Sequence, residues 1–132
     1  MAIQFSVAVR NARLNAIEAT VGTAPKLKLF TLSPPTNCAA SETGTLLCTL
    51  TLPSDWVGAG SSGATVIAGT WTGTAIAAGT CAHYRLCDTA GTTCHEQGTV
   101  GIGTGDLQLD NTSIAINQVI SIPTWTTTDG NA

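Results

Sequence analysis

From Pro25 onward the chain runs in short stretches of Thr, Val, Ile and Leu broken by Gly, Pro, Ser and Asn, and this punctuation is its strongest constraint on fold. Such runs suit half-buried strands joined by tight turns and are broken too often for helices. KLKLFTL at 26–32 alternates, placing Leu27, Leu29 and Thr31 on one face; the prolines of SPPTN then end the run because they remove ladder donors. In TLLCTLTL at 45–52, Leu46, Cys48, Leu50 and Leu52 share a face, which makes Cys48 a small buried hydrophobe. PSDW and GAGSSG read as loop, and TGTAIAAGT at 72–80 as a turn-rich connection. Further strands are expected at 64–71, 81–87, 93–102, 106–110 and 118–127. About seven short strands of this kind predict a mainly β protein, an antiparallel β-sandwich or jelly roll.

Only the N-terminus reads as helix. Phe5, Val9, Ala12, Ala16 and Ile17 recur at spacings of three and four, Val21 follows, and Gly22 stands where a helix would end. The expected organisation is one compact domain with an N-terminal amphipathic helix over 1–22 and a β-sandwich over 23–132. The helix either covers an open end or face of the sheet or docks on a partner.

The stretch CAHYRLCDTAGTTCHEQG at 81–98 concentrates the reactive side chains of a chain otherwise poor in them. Asp88-Thr89-Ala90-Gly91-Thr92 suits a three-residue hairpin loop with Gly91 in the left-handed region. That register sets Leu86 opposite Cys94, Arg85 opposite His95, Tyr84 opposite Glu96 and His83 opposite Gln97. Tyr84, Leu86 and Cys94 then share one face, and His83, Arg85, Cys87, His95 and Gln97 the other. Glu96 is the misfit on the inward face, and a bulge or a one-residue slip, which would bring Cys87 opposite Cys94, would re-aim it.

This division argues against a metal site, since the spacing Cys81-x5-Cys87-x6-Cys94 lacks the close ligand pairs of zinc sites and Arg85 would repel a cation. No C-x-x-C motif suggests redox catalysis. His83 and His95 are the only candidate bases for a hydrolytic triad, and neither lies in a recognisable motif. Gly101-Ile102-Gly103-Thr104-Gly105 leads into a strand and reads as a turn rather than a phosphate loop. Asp55, Asp88, Glu96, Asp106 and Asp110 read as turn residues and strand ends, and the sequon Asn111-Thr112-Ser113 as a turn. No enzyme, cofactor or metal is expected.

Charge narrows the partners. Five Lys and Arg in 132 residues cannot form a basic stripe for nucleic acid, and no apolar run approaches the roughly 20 residues of a membrane helix. MAIQFSVAVRNARLNAIE has no secretory pattern, so synthesis in a host cytoplasm is expected, with five cysteines, an odd number, mainly reduced. Charged residues make up 10% of the chain, net charge is −3 and mean hydropathy is +0.25, which together favour a surface that packs against other chains.

NCAA at 37–40, LTLPSDW at 50–56, GTW at 69–71, HYRLCDTAGTTCHEQGTV at 83–100, LDNTSI at 109–114 and the ending TTTDGNA resemble a group of small proteins of tailed bacteriophages and prophages. The resemblance covers nearly the whole chain and implies a virion structural protein, foremost a capsid cement or decoration protein that stabilises the head. A neck, collar or tail component is the first alternative. A carbohydrate-binding module using Trp56, Trp71 and Trp125 as stacking platforms is the second. The implied partners are the major capsid protein or other virion proteins, with a homo-oligomer in the particle. The candidate interface residues are Phe5, Val9, Pro34, Trp56 and Trp71, within the segment from Ala2 to Val21 or in loops.

Overall fold

The structure, a computed structural model, describes residues 3–130. Ala2, within the expected helix and contact segment, lies outside them, as do Met1 and the last two residues. The elements are α1 (Val7–Val21), β1 (Lys26–Phe30), β2 (Leu46–Thr51), β3 (Ala64–Val66), β4 (Trp71–Thr74), β5 (Gly79–Thr80), β6 (His83–Cys87), β7 (Cys94–Gly101), β8 (Leu107–Gln108), β9 (Ser113–Ile114), β10 (Val119–Ile122) and β11 (Thr126–Thr128). The protein is mainly β with one helix. A five-stranded sheet has the order β2-β1-β6-β7-β8, and β10-β4, β11-β3 and β5-β9 form two-stranded ribbons.

Alternation in the sequence explains the sheet. On its core face Leu50, Leu27 and Leu86 line up across β2, β1 and β6, followed by Cys48, Leu29 and Tyr84. All six are buried. At the end of β2 the ladder skips Leu47, so that Leu46 pairs with Phe30, and Leu47 is buried while Leu46 is only half-buried. The expected face of Leu46, Cys48, Leu50 and Leu52 therefore holds for its last three members, and a bulge exchanges the first.

The strands outside the five-stranded sheet are more broken than the sequence suggests. The run at 64–71 splits into β3 and the start of β4, separated by a turn in which Gly69 adopts φ +68°. Residues 72–80, read as a connection, carry most of β4 and all of β5. The run at 118–127 is divided at Pro123, which cannot donate to a ladder. Gly73 on β4 lies so close to the Thr49 carbonyl that a Cβ there would approach to 3.0 Å, and this contact seats β4 on β2.

Three tryptophans pack together in the core. Ring centroids of Trp56, Trp71 and Trp125 lie 5.3 to 6.3 Å apart in tilted pairs. Trp71 Nε1 donates to the Trp56 carbonyl at 3.0 Å, and Trp56 Nε1 to the Gly22 carbonyl at 3.1 Å, so both indole donors are satisfied inside the protein.

The helix begins at Ser6, whose side chain accepts from the Val9 amide, and ends at Gly22 with φ +94°. Its inward face differs from the expected stripe. Leu14 and Val21 are buried and Ile17 partly so, whereas Phe5, Val9, Ala12 and Ala16 are exposed. The cause is that α1 docks largely through polar side chains: Asn15 accepts from the Gly60 amide at 2.7 Å and Asn11 from the Gly63 amide at 2.9 Å. The Glu18 carboxylate, raised above its ordinary value chiefly by burial, lies beside the amides of Trp56 and Val57, which oppose that rise. The helix satisfies a loop's free donors, and this fixes its rotation.

If the tryptophan cluster closes the core, Trp71→Ala should destabilise the protein by about 3–5 kcal/mol in urea denaturation. A loss below about 1 kcal/mol would show that the cluster is peripheral.

Candidate functional site

Three of the side chains concentrated at 81–98, His83, Arg85 and Gln97, meet under one segment, residues 31–45, which leaves β1 and folds back as a strap over the sheet face opposite the core. Its ends are joined where the Thr31 amide donates to the Thr45 carbonyl at 3.1 Å and the Thr45 amide to Thr31 Oγ1 at 2.8 Å. Gly44 permits this closure, because a Cβ there would fall 2.1 Å from the Thr31 carbonyl oxygen and its φ is +74°. Asn37 shapes the middle, its Oδ1 accepting from the amides of Ala39 and Ala40 at 3.0 Å.

Beneath the strap runs a row of donors. Arg85 donates from Nη1 to the Ala40 carbonyl at 2.9 Å and from Nη2 to the Cys38 carbonyl at 2.7 Å. Its ladder partner Gln97 donates from Nε2 to the Pro35 carbonyl at 2.6 Å. His83 Nδ1 lies 2.6 Å from the Leu32 carbonyl, which can only accept, so the proton sits on Nδ1. The His83 ring stacks on Phe30 with centroids 5.0 Å apart and an interplanar angle of 7°. Lys28 completes the set, pairing with Glu42 at 2.6 Å and donating to the Gly91 carbonyl at 2.8 Å. His83 and Arg85 are 0% and 2% exposed, values that ordinary strand residues of these types do not reach unless covered.

The hairpin beneath differs in register from the expected one. Asp88 and Thr93 close a loop one residue longer, with the Asp88 amide donating to the Thr93 carbonyl at 3.0 Å. Gly91 takes φ +74° as expected, and Asp88 Oδ1 accepts from the Thr92 and Thr93 amides, which lowers its carboxyl from the ordinary value. Cys87 therefore faces Cys94, His95 is extruded as an exposed bulge residue, and Leu86 faces Glu96. None of the four expected pairs forms: Tyr84 faces Gly98 and His83 faces Thr99, and Cys94 moves from the face of Tyr84 and Leu86 to that of Arg85 and Cys87.

Glu96, the misfit of the sequence, lies beside Tyr84, whose hydroxyl donates to Oε1 at 2.5 Å. Burial pushes the Glu96 carboxyl above its ordinary value near 4.5, while the Tyr84 hydrogen bond opposes that shift; burial likewise pushes the Tyr84 phenol up. A small hollow beside them is lined by Asp106, Trp125 and Thr126 among others. Asp106 is occupied locally, accepting from the amide and hydroxyl of Thr99 at 2.9 and 3.0 Å. These acids thus perform structural bonding.

All five cysteines are free thiols. Burial pushes Cys48 and Cys87 up to about 11 and Cys81 up to about 12. Cys38, on the strap, is raised by burial and by its neighbour Cys94. Among the described residues no group of three or more His, Cys, Asp and Glu side chains is arranged to hold a metal ion.

The proposed contact residues fare unequally. Trp56 and Trp71 are buried in the core and present no surface, which corrects their assignment to an interface. Trp125 packs with them and is 9% exposed, lining the hollow beside Glu96. Pro34 is half-buried in the strap. Phe5 and Val9 are each 42% exposed, and Arg13 lies over the Phe5 ring at 5.0 Å. Ile3 and Val7, which sequence reasoning did not single out, are 78% and 49% exposed. Compared with family models, with curated proteins and with solved structures, the chain matches none of them.

Two outcomes test this description. Arg85→Met should lower stability by about 3 kcal/mol in urea, since two charge-assisted hydrogen bonds of about 1.5 kcal/mol each are lost. Because the folded-state value of Glu96 is raised, the folded protein holds its proton more tightly than the unfolded chain, and that stabilisation is lost as pH rises from about 4.5 through the folded value. Glu96→Gln should therefore gain stability relative to wild type as pH increases, measured by denaturation at a series of pH values.

Proposed function

We propose that this chain is a structural protein of a bacteriophage particle, acting as a cement or decoration protein that ties head subunits together through its N-terminal segment. The observation that carries this reading is the outward placement of Ile3, Phe5, Val7 and Val9, four of the ten large apolar side chains exposed among the described residues, within seven positions of the chain. Isolated exposed apolar residues are ordinary, whereas a concentration of them marks a contact surface. Asn11, Asn15 and Glu18 hold α1 on the domain from the side opposite Val9, so the surface around Phe5 and Val9 can meet a partner without the helix detaching.

Low charge, small size and the resemblance of the quoted segments to phage proteins support the same conclusion. In this reading the five-stranded sheet and the ribbon of β4 and β10 are the two layers of a sandwich. The partner is the major capsid protein or another virion protein, met at subunit boundaries by several copies of the chain, where weak attachments reinforce one another. A neck, collar or tail position is the second reading, since such a component needs the same surface. The carbohydrate-binding alternative is weakened by the burial of all three tryptophans.

Particles lacking the protein should assemble yet lose packaged DNA more readily on heating. Full heat resistance with failure to join tails would move the protein to the neck. The double variant Phe5→Ser, Val9→Ser should keep the wild-type melting temperature but bind such particles at least about tenfold more weakly, since each apolar side chain contributes on the order of 1 kcal/mol. Unchanged binding would remove the N-terminal segment from the interface.

A further inference from the structure

Three cysteines meet where the strap crosses the hairpin. Cys87 and Cys94 face each other across the ladder of β6 and β7, on the sheet face that also carries Arg85, and the Cys38 thiol lies near enough to the Cys94 thiol to interact with it. Arg85 holds the Cys38 carbonyl at 2.7 Å, so the strap backbone is fixed at this point. The Cys94 thiol also donates to the Glu96 carbonyl at 3.2 Å, which orients it. Cys38 and Cys94 are half-buried and open to a small reagent, whereas Cys48, Cys81 and Cys87 are buried.

We propose that Cys38 and Cys94 are a disulfide site, closed by exchange with a small-molecule disulfide of the oxidised glutathione class, and that the bridge clasps the strap to β7. The thiolate of one cysteine attacks a sulfur of the small disulfide, forming a mixed disulfide and releasing one thiol. The second cysteine then attacks the protein-bound sulfur, forming the Cys38–Cys94 bond and releasing the second thiol; the protein loses two protons and two electrons, and the reagent gains them. Cys87 is the poorer partner. Its Cβ is fixed by an antiparallel ladder beside a bulge, where the near-perpendicular S–S torsion is reached only with strain, whereas Cys38 sits in irregular chain that can adjust by small rotations. The bridge closes a loop of about 57 residues and so restricts the unfolded chain strongly. In the reduced protein the strap is held by hydrogen bonds; after oxidation it is held covalently as well. The site stands independently of the assembly proposal.

The full-length reduced protein should be incubated with oxidised glutathione, its remaining thiols alkylated, and a non-reducing digest mapped by mass spectrometry. The expected result is a fall in free thiols from five to three, a mass about 2 Da below the reduced protein, and a cross-linked peptide joining Cys38 to Cys94. Cys87→Ala should form the same bridge, Cys38→Ala should instead retain glutathione on Cys94, and oxidised wild type should melt several degrees higher. A Cys87–Cys94 bridge, a persistent glutathione adduct on wild-type Cys94, or five unreacted thiols would each overturn the proposal. Mapping of the wild-type protein decides the question even if a variant fails to fold.

Discussion

Strand β6 is buried on both faces while carrying an arginine and a histidine, and much of the structure follows from that conflict. Polar groups removed from water must be bonded within the protein, because an unpaired one costs about as much as several good contacts contribute. One face of β6 gives Tyr84 and Leu86 to the core; the other gives His83 and Arg85 to the strap, whose carbonyls at Leu32, Cys38 and Ala40 accept from His83 Nδ1 and Arg85 Nη2 and Nη1, while Arg85 Nε and His83 Nε2 stay buried without a partner among the described residues. Pro34 and Pro35 suit this role because they contribute carbonyls without amides that would need acceptors of their own. A donor-rich strand and an acceptor-rich loop thus fit each other chemically as well as in shape.

The helix repeats the arrangement with the roles reversed. There the loop around Gly60 and Gly63 supplies amide donors, and side chains of α1 supply the acceptors. Gly60 allows the close approach, since a Cβ would lie 2.8 Å from the Asn11 carbonyl oxygen. Because the helix is positioned by asparagines and a glutamate, Val9 on its far side is left outside together with Phe5 ahead of its first turn, and the surface proposed for assembly is a by-product of how the helix is anchored.

Local pattern made β1, β2 and the β6–β7 hairpin legible in the sequence, down to the turn formed by Asp88 and Gly91. Register was not legible, because Asp88 to Thr93 suits a loop of three or four residues equally well, and one extra residue moves Cys94 from Leu86 to Cys87. The helix was visible but its rotation was not, since Leu14, Ile17 and Val21 make a second stripe at the same period as Phe5, Val9 and Ala16. Trp56 looked like a loop residue because it stands among Pro53, Ser54 and Gly58; only long-range packing shows that it fills the core with Trp71. The strap left one readable trace, His83 and Arg85 at alternate positions of a strand otherwise rich in apolar residues. Its partners are distant in sequence, and no periodicity connects them.

If the strap is part of the sheet's cooperative structure, it should open only when β6 does. Native-state hydrogen exchange measures this directly, by following the amide of Ala40, which is bonded to Asn37, and that of Leu86 in the central strand through increasing denaturant. The account predicts that the two amides merge into one opening with the same free energy and denaturant dependence. Exchange of Ala40 through a low-energy opening insensitive to denaturant, while Leu86 stays protected, would contradict it.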